Sequence, residues 1–200
     1  MTTATVQLPG FTDPVHEAQQ TFRALLDALA RPGLPQAMVA VTAPAGLTPE
    51  CAAACLTLLD LETTVWLQSG LSEAARAWLL FHTGCRFTEQ PQAADFAIIH
   101  DAANLPPLDA FGWGTAEYPE ASTSLLIQLP ALTGPTTVTL QGPGIREAIA
   151  LQTPLGQPFW QQWQVMTASY PLGLDVWCLA DHQVIGLPRT ARVTDSQENL

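Results

Sequence analysis

From Cys51 to Leu61 the chain reads Cys-Ala-Ala-Ala-Cys-Leu-Thr-Leu-Leu-Asp-Leu, and Thr48-Pro49-Glu50 just ahead of it opens a helix. The body of that helix is apolar nearly all round, so it has to be buried on most of its sides. Whatever fold this chain adopts must enclose one helix almost completely.

Other elements supply the enclosure. Asp13-Pro14 opens the clearest helix: aspartate caps the free amides and proline is tolerated at the first helical position. Its apolar face at the 3.6-residue period is Val15, Ala18, Phe22, Leu25, Leu26 and Leu29, and Arg31-Pro32-Gly33 stops it. Strands are expected at Ala37 to Val41, Thr64 to Leu67 and Phe96 to His100. Ser72 caps a third helix running through His82, with Gly84 at its left-handed end. Leu125 to Leu129 and Thr137 to Leu140, divided by Thr133-Gly134-Pro135, read as an antiparallel hairpin. A fourth helix, Phe159 to about Met166, puts Phe159, Trp163 and Met166 on one stripe. Leu174 to Leu179 and Val184 to Leu187 form a hairpin across Asp181-His182-Gln183. The expected class is α/β, a mixed β-sheet flanked by helices, as one domain over residues 11–193 with loose tails at 1–10 and 194–200.

Charge narrows the chemistry. There is no lysine, so a Schiff base with pyridoxal phosphate or a carbonyl substrate and the cation of a Walker loop are both excluded. Eighteen carboxylates against seven arginines give a formal net charge of -11, which repels phosphate backbones and anionic headgroups and argues against nucleic-acid or membrane-surface binding. Only 12% of residues are charged, against about 25% in an ordinary soluble domain, so part of the surface must be apolar. Such a surface suits a subunit; neutral loops in an alanine- and proline-rich chain are the alternative. Met1 to Gly10 lacks the features of a secretory signal and no stretch approaches a membrane span, so a cytoplasmic location is expected.

The four cysteines are then expected to be free thiols. Cys51 and Cys55 with His82 and Cys85 could surround zinc, but no CxxC pair exists and the flanks are alanine and leucine, so buried packing is expected and no metal.

Four constellations could carry chemistry. Gly142-Pro143-Gly144-Ile145-Arg146 follows a strand, where backbone amides can cradle an anion, or where a tight turn simply needs positive φ. His82 beside Cys85 could polarise a thiol, or sit as a histidine favoured in a last helical turn. Glu117, Glu120 and Asp175 could pair for acid-base work, though nothing in the sequence brings them together. Arg189 and Arg192, the one paired cluster of positive charge, suit an anion or a partner, or a salt bridge within the chain. The candidates for anion or partner binding are therefore Gly142, Gly144, Arg146, Arg189 and Arg192.

Ordered segments along the chain carry a family likeness. They are Ala18-Gln19-Gln20-Thr21-Phe22-Arg23 with Arg31-Pro32-Gly33, Phe81-His82-Thr83 with Arg86, Gly114-Thr115-Ala116 with Pro119-Glu120, Leu140-Gln141-Gly142-Pro143-Gly144-Ile145, Tyr170-Pro171-Leu172-Gly173-Leu174-Asp175, and Leu187-Pro188-Arg189-Thr190. Together, over roughly Phe11 to Val193, they resemble the PhnH subunit of the bacterial carbon-phosphorus lyase system, which breaks down phosphonates. The resemblance implies a homodimer whose sheet is similar to that of pyridoxal-phosphate transferases, reduced and without the cofactor. It implies assembly with PhnG, PhnI and PhnJ in a core complex, and, with PhnG, PhnI and PhnL, transfer of ribose 5-triphosphate from ATP to an alkylphosphonate such as methylphosphonate, with release of adenine. It carries over no catalytic residue and no cofactor. A supporting subunit agrees with the charge count, because gripping a triphosphate takes several cations or a metal. The competing classes are a stand-alone hydrolase or transferase using His82 and Cys85 or a carboxylate pair, and a small anion-binding module built on the Gly142 to Arg146 turn.

Overall fold

The computed structural model describes residues 8–194. In chain order the elements are α1 (Pro14–Ala30), β1 (Gln36–Ala37), α2 (Pro49–Leu58), β2 (Thr64–Leu67), α3 (Glu73–Thr83), β3 (Arg86–Thr88), β4 (Phe96–Ile99), β5 (Ser124–Gln128), β6 (Thr136–Gln141), β7 (Ile149–Thr153), α4 (Gln157–Thr167), β8 (Asp175–Ala180), β9 (Gln183–Leu187) and β10 (Arg192–Thr194). The class is mixed α/β, as expected.

A seven-stranded sheet has the order β1-β9-β8-β5-β4-β2-β3, and a second sheet has the order β10-β6-β7. β3, β2, β4, β5 and β8 are parallel, while β9 and β1 close one side antiparallel. Parallel strands covered on both faces read as unbroken apolar runs. Ala97-Ile98-Ile99 and Leu125-Leu126-Ile127 are such runs, every residue fully buried. Alternate side chains then serve opposite faces. Ile98 and Leu126 join Leu25, Ala28, Cys51, Cys55 and Leu79 under α1, α2 and α3. Ile99, Leu125 and Ile127 join Leu140, Trp163, Met166 and Val176 under α4 and the small sheet.

The helix boundaries follow the caps. Asp13 accepts a hydrogen bond from His16 N, Thr48 from Cys51 N and Ser72 from Ala75 N, and Gly84 adopts φ 68° at the end of α3. The enclosed helix is α2, with Glu50 through Cys55 all buried. The β8–β9 hairpin also stands where the sequence puts it, turning on Asp181 and His182 at φ 53° and 57°, the double positive φ of a tight two-residue turn.

Four expectations need correction. The Leu125 to Leu129 and Thr137 to Leu140 segments do not pair: β5 lies between β4 and β8 in the large sheet, while β6 pairs with β7 and β10 in the small one. Burial explains it. β5 is apolar on both faces and needs cover on both; β6 alternates, and suits a sheet covered on one. The strand at Ala37 to Val41 shrinks to the two residues of β1. α1 buries Thr21, Ala24, Leu25 and Ala28, whereas Val15, Phe22 and Leu26 of the expected apolar face are exposed. Finally, Leu8 to Gly10 is not a loose tail: Leu8 O accepts from Trp78 Nε1 at 3.0 Å, and His82 Nε2 lies 3.0 Å from it. The rest of both expected tails, except Thr194 at the end of β10, falls outside the described residues.

Candidate functional site

β6 delivers the glycine turn to a crevice of about 580 Å³ lined by Gln141, Gly142, Pro143, Tyr170, Arg189, Thr190 and Arg192. The turn closes through Ile145 N donating to Gly142 O at 3.1 Å. Both glycines have packing reasons to be glycine. Gly142 has φ 145° and a Cβ there would lie 2.5 Å from Thr190 O; Gly144 has φ 83° and a Cβ would overlap the Ala30 carbonyl. The turn thus holds the small sheet against the end of α1 and the segment before β10.

Arg189 makes a salt bridge within the chain. Nε and Nη2 donate to the two oxygens of Asp175 at 3.3 and 2.6 Å, Nη2 also to Ser122 Oγ at 2.6 Å, and Nη1 to Pro119 O and Pro171 O at 2.7 and 3.4 Å. A guanidinium has five N–H donors, and all five have partners inside the chain. Arg189 N adds a bond to Asp175 Oδ1 at 2.9 Å. Its carboxylate is therefore Asp175, which removes Asp175 from any pair with Glu117 or Glu120; both of those are exposed. Arg192 stands on the crevice wall and Arg146 beyond it, and neither makes an ion pair among the described residues.

His82 and Cys85 have separate duties. The His82 ring packs 4.6 Å from Trp78 and turns Nε2 to Leu8 O, while Cys85 is 1% exposed. Burial raises the Cys85 thiol; a hydrogen bond with Cys51, then burial, raises that of Cys55; and burial pushes Cys178 up to about 12. A thiol nucleophile needs the thiolate, so this geometry opposes a Cys85 enzyme. All four cysteines are buried and free, as expected. A thiol reagent at pH 8 should modify none of them in the folded chain and all four in denaturant; rapid labelling of Cys85 in the folded chain would contradict this packing. No group of three or more His, Cys, Asp or Glu with metal-holding geometry occurs among the described residues.

A second and larger crevice, about 880 Å³, lies at the carboxyl ends of β4 and β5. Leu47 and Thr48 reach it from the start of α2, His100 and Asp101 from the end of β4, Gln128 and Leu129 from the end of β5, and Gly156 and Phe159 from the start of α4. Open α/β sheets bind ligands at such an edge. Two buried glutamines shape it. Gln68 Oε1 accepts from His100 N and Asp101 N at 3.0 and 2.8 Å, and its Nε2 donates to Asp101 O and Asn104 O at 3.0 and 2.9 Å. Gln128 Oε1 accepts from Thr48 N at 2.6 Å and Nε2 donates to Gly46 O at 3.2 Å. A hydrogen bond from the Asn104 amide holds the Asp101 carboxyl below its ordinary range. No lysine or arginine lines this crevice, so it offers no counter-charge to a polyphosphate. Sequence reasoning missed it; the available signal was a glutamine closing the apolar run of β5, Gln128, and another, Gln68, directly after β2. Among the described residues, no helix is long and apolar enough to cross a membrane.

A family model described as "Bacterial phosphonate metabolism protein (PhnH)" matches residues 9–194. The chain is 40% identical over 187 residues, 92% of its length and 93% of the relative's, to the "Alpha-D-ribose 1-methylphosphonate 5-triphosphate synthase subunit PhnH" of Rhizobium meliloti (strain 1021). It is also 31% identical over 81 residues, 40% of its length and 42% of the relative's, to the "Putative C-P lyase subunit protein HtxG" of Stutzerimonas stutzeri.

Proposed function

As this chain belongs to the PhnH family of bacterial phosphonate metabolism proteins, we propose that it is a supporting subunit of a multi-subunit synthase acting in phosphonate breakdown. That enzyme moves ribose 5-triphosphate from ATP to methylphosphonate with release of adenine. The observation that carries this reading is the 40% identity to a named synthase subunit across nearly the full length of both chains.

Charge gives the supporting role its physical basis. A triphosphate needs several cations or a metal around it; the larger crevice has none, and the smaller has Arg189, fully occupied, and Arg192. The reacting groups accordingly belong to other subunits. We take PhnG, PhnI and PhnJ as partners in a core complex, PhnL as a further partner, and a homodimer as the state of the isolated chain. Residues 11–193 act as one domain, in the cytoplasm. Arg192 and Arg146, with the Gly142 and Gly144 turn beside them, are proposed as a partner or anion contact; Arg189 holds that wall from within. The run of five parallel strands supports a sheet similar to that of pyridoxal-phosphate transferases, without a lysine to hold that cofactor.

The test is reconstitution. The chain is expressed alone and with the sister subunits, sized by gel filtration, and assayed for adenine release from ATP and methylphosphonate. Alone it should be dimeric and inert; the assembly should turn over and lose that activity when this subunit is left out. Turnover by the isolated chain, or full activity without it, would overturn the proposal.

A further inference from the structure

We propose that the outward side of α1 is a docking face for another subunit, one presenting an apolar ridge edged by a carboxylate; this rests on the subunit reading above. Val15, Phe22 and Leu26 are 76%, 51% and 55% exposed. Their spacing of seven and four residues aligns them along one side of the helix. The helix holds to the body through the smaller Thr21, Ala24 and Ala28, with Leu25. Exposed large apolar side chains aligned in this way, here with Gln19 between them, suit an interaction site.

Charge selects the occupant. Of the carboxylates of the helix and its cap, Asp13 pairs with His16 at 2.7 Å and Asp27 with Arg31 at 2.5 Å, while Glu17, two positions past Val15 and so on the opposite side of the helix, accepts from Thr12 N at 2.8 Å. Arg23, beside Phe22, is exposed and makes no ion pair among the described residues, in a chain of net charge -11. The strip therefore presents apolar side chains, Gln19 and one unanswered cation.

A second copy answers that cation badly. Helices paired parallel along this strip would set Arg23 level with its own copy. An antiparallel pair centred between Val15 and Leu26 would bring the two within about 8 Å along the axis, at 1.5 Å per residue. Neither arrangement brings an unpaired carboxylate of α1 to the strip, and like charges juxtaposed at an interface oppose binding. A different subunit with an acidic side chain next to its own apolar ridge satisfies both parts of the face.

The experiment co-expresses the chain with PhnG, PhnI and PhnJ and compares wild type with the Phe22→Asp/Leu26→Asp double variant, Arg23→Glu and Arg23→Lys. Wild type and Arg23→Lys should co-elute with the other subunits. The double variant should lower recovered complex at least tenfold and Arg23→Glu severalfold. Each isolated variant should keep the wild-type elution volume and melt within about 2 °C of wild type, because the altered side chains face solvent. Undiminished co-elution of both the double variant and Arg23→Glu would overturn the inference. So would a shift of the isolated double variant from dimer to monomer, which would make a second copy the occupant. If the wild-type chain itself fails to co-elute, the subunit reading falls and this inference falls with it.

Discussion

Replacing Arg189 with methionine is expected to lower unfolding free energy by about 2.5 kcal/mol and the thermal midpoint by about 8 °C. The side chain is 13% exposed and its partner Asp175 25% exposed. Methionine keeps much of the bulk and removes all five donors. Asp175 then loses its counter-ion, and Ser122 Oγ and the Pro119 and Pro171 carbonyls lose a donor. Removing one partner of a fully buried pair costs about 3–5 kcal/mol, and the residual water contact here reduces that figure. Lysine at 189 should recover only part of the loss, since a point charge cannot span both Asp175 oxygens and the two carbonyls together. Removing both charges, in Arg189→Met with Asp175→Leu, should cost less than the two single changes summed, by about 1 kcal/mol or more. Urea denaturation of the four variants measures these differences. The result also separates two roles for Arg189: a side chain reserved for a ligand would leave stability intact and abolish function, whereas a lock shows its loss first in the melt.

How much was legible in the residues varies with how local the cause was. Caps at Asp13, Thr48 and Ser72, the αL glycine at 84 and the Asp181-His182 turn act within a few residues of themselves, and all stand where the sequence puts them. Partners of strands are not local. The turn at Thr133-Gly134-Pro135 suggests a hairpin, but a Cβ on Gly134 would overlap Pro154 N, so the glycine serves the junction between β7 and α4. β7, β3 and β10 passed unread. The larger crevice joins residues near positions 47, 100, 128 and 156, which meet only through the order of the sheet. Arg189 was visible as a candidate, but its carboxylate, fourteen residues away in β8, became evident only with β8 and β9 paired. The face of α1 was misread for a different reason. Periodicity gives weight to large side chains, and this helix buries small ones because its backbone lies unusually close to the sheet.

That closeness is greatest at one glycine of the sheet. A Cβ on Gly186 of β9 would lie 2.5 Å from Ala28 O and 2.6 Å from Leu29 N, against the backbone of α1 itself. Trp177 Nε1 donates to Leu25 O at 3.0 Å and Gly33 N to Gly186 O at 3.3 Å, so the helix is tied down on both sides of the approach. Gly186→Ala is therefore expected to destabilise by about 3 kcal/mol, the upper end for overpacking, because backbone cannot rotate aside as a side chain does. For a domain of this size the thermal midpoint should fall by about 9 °C. Gly186→Val should fail to accumulate as folded protein. Trimming the facing residue, in Ala28→Gly with Gly186→Ala, should give no rescue, since the obstructing atoms are main-chain carbonyl and amide; glycine inside a helix should instead add about 1 kcal/mol of loss. Thermal denaturation followed by tryptophan fluorescence, with Trp177 beneath the helix, reads these steps. If Gly186→Ala melts with the wild type, α1 does not press on β9. The small buried face of α1, and with it the outward turn of Phe22 and Leu26, would then need another cause.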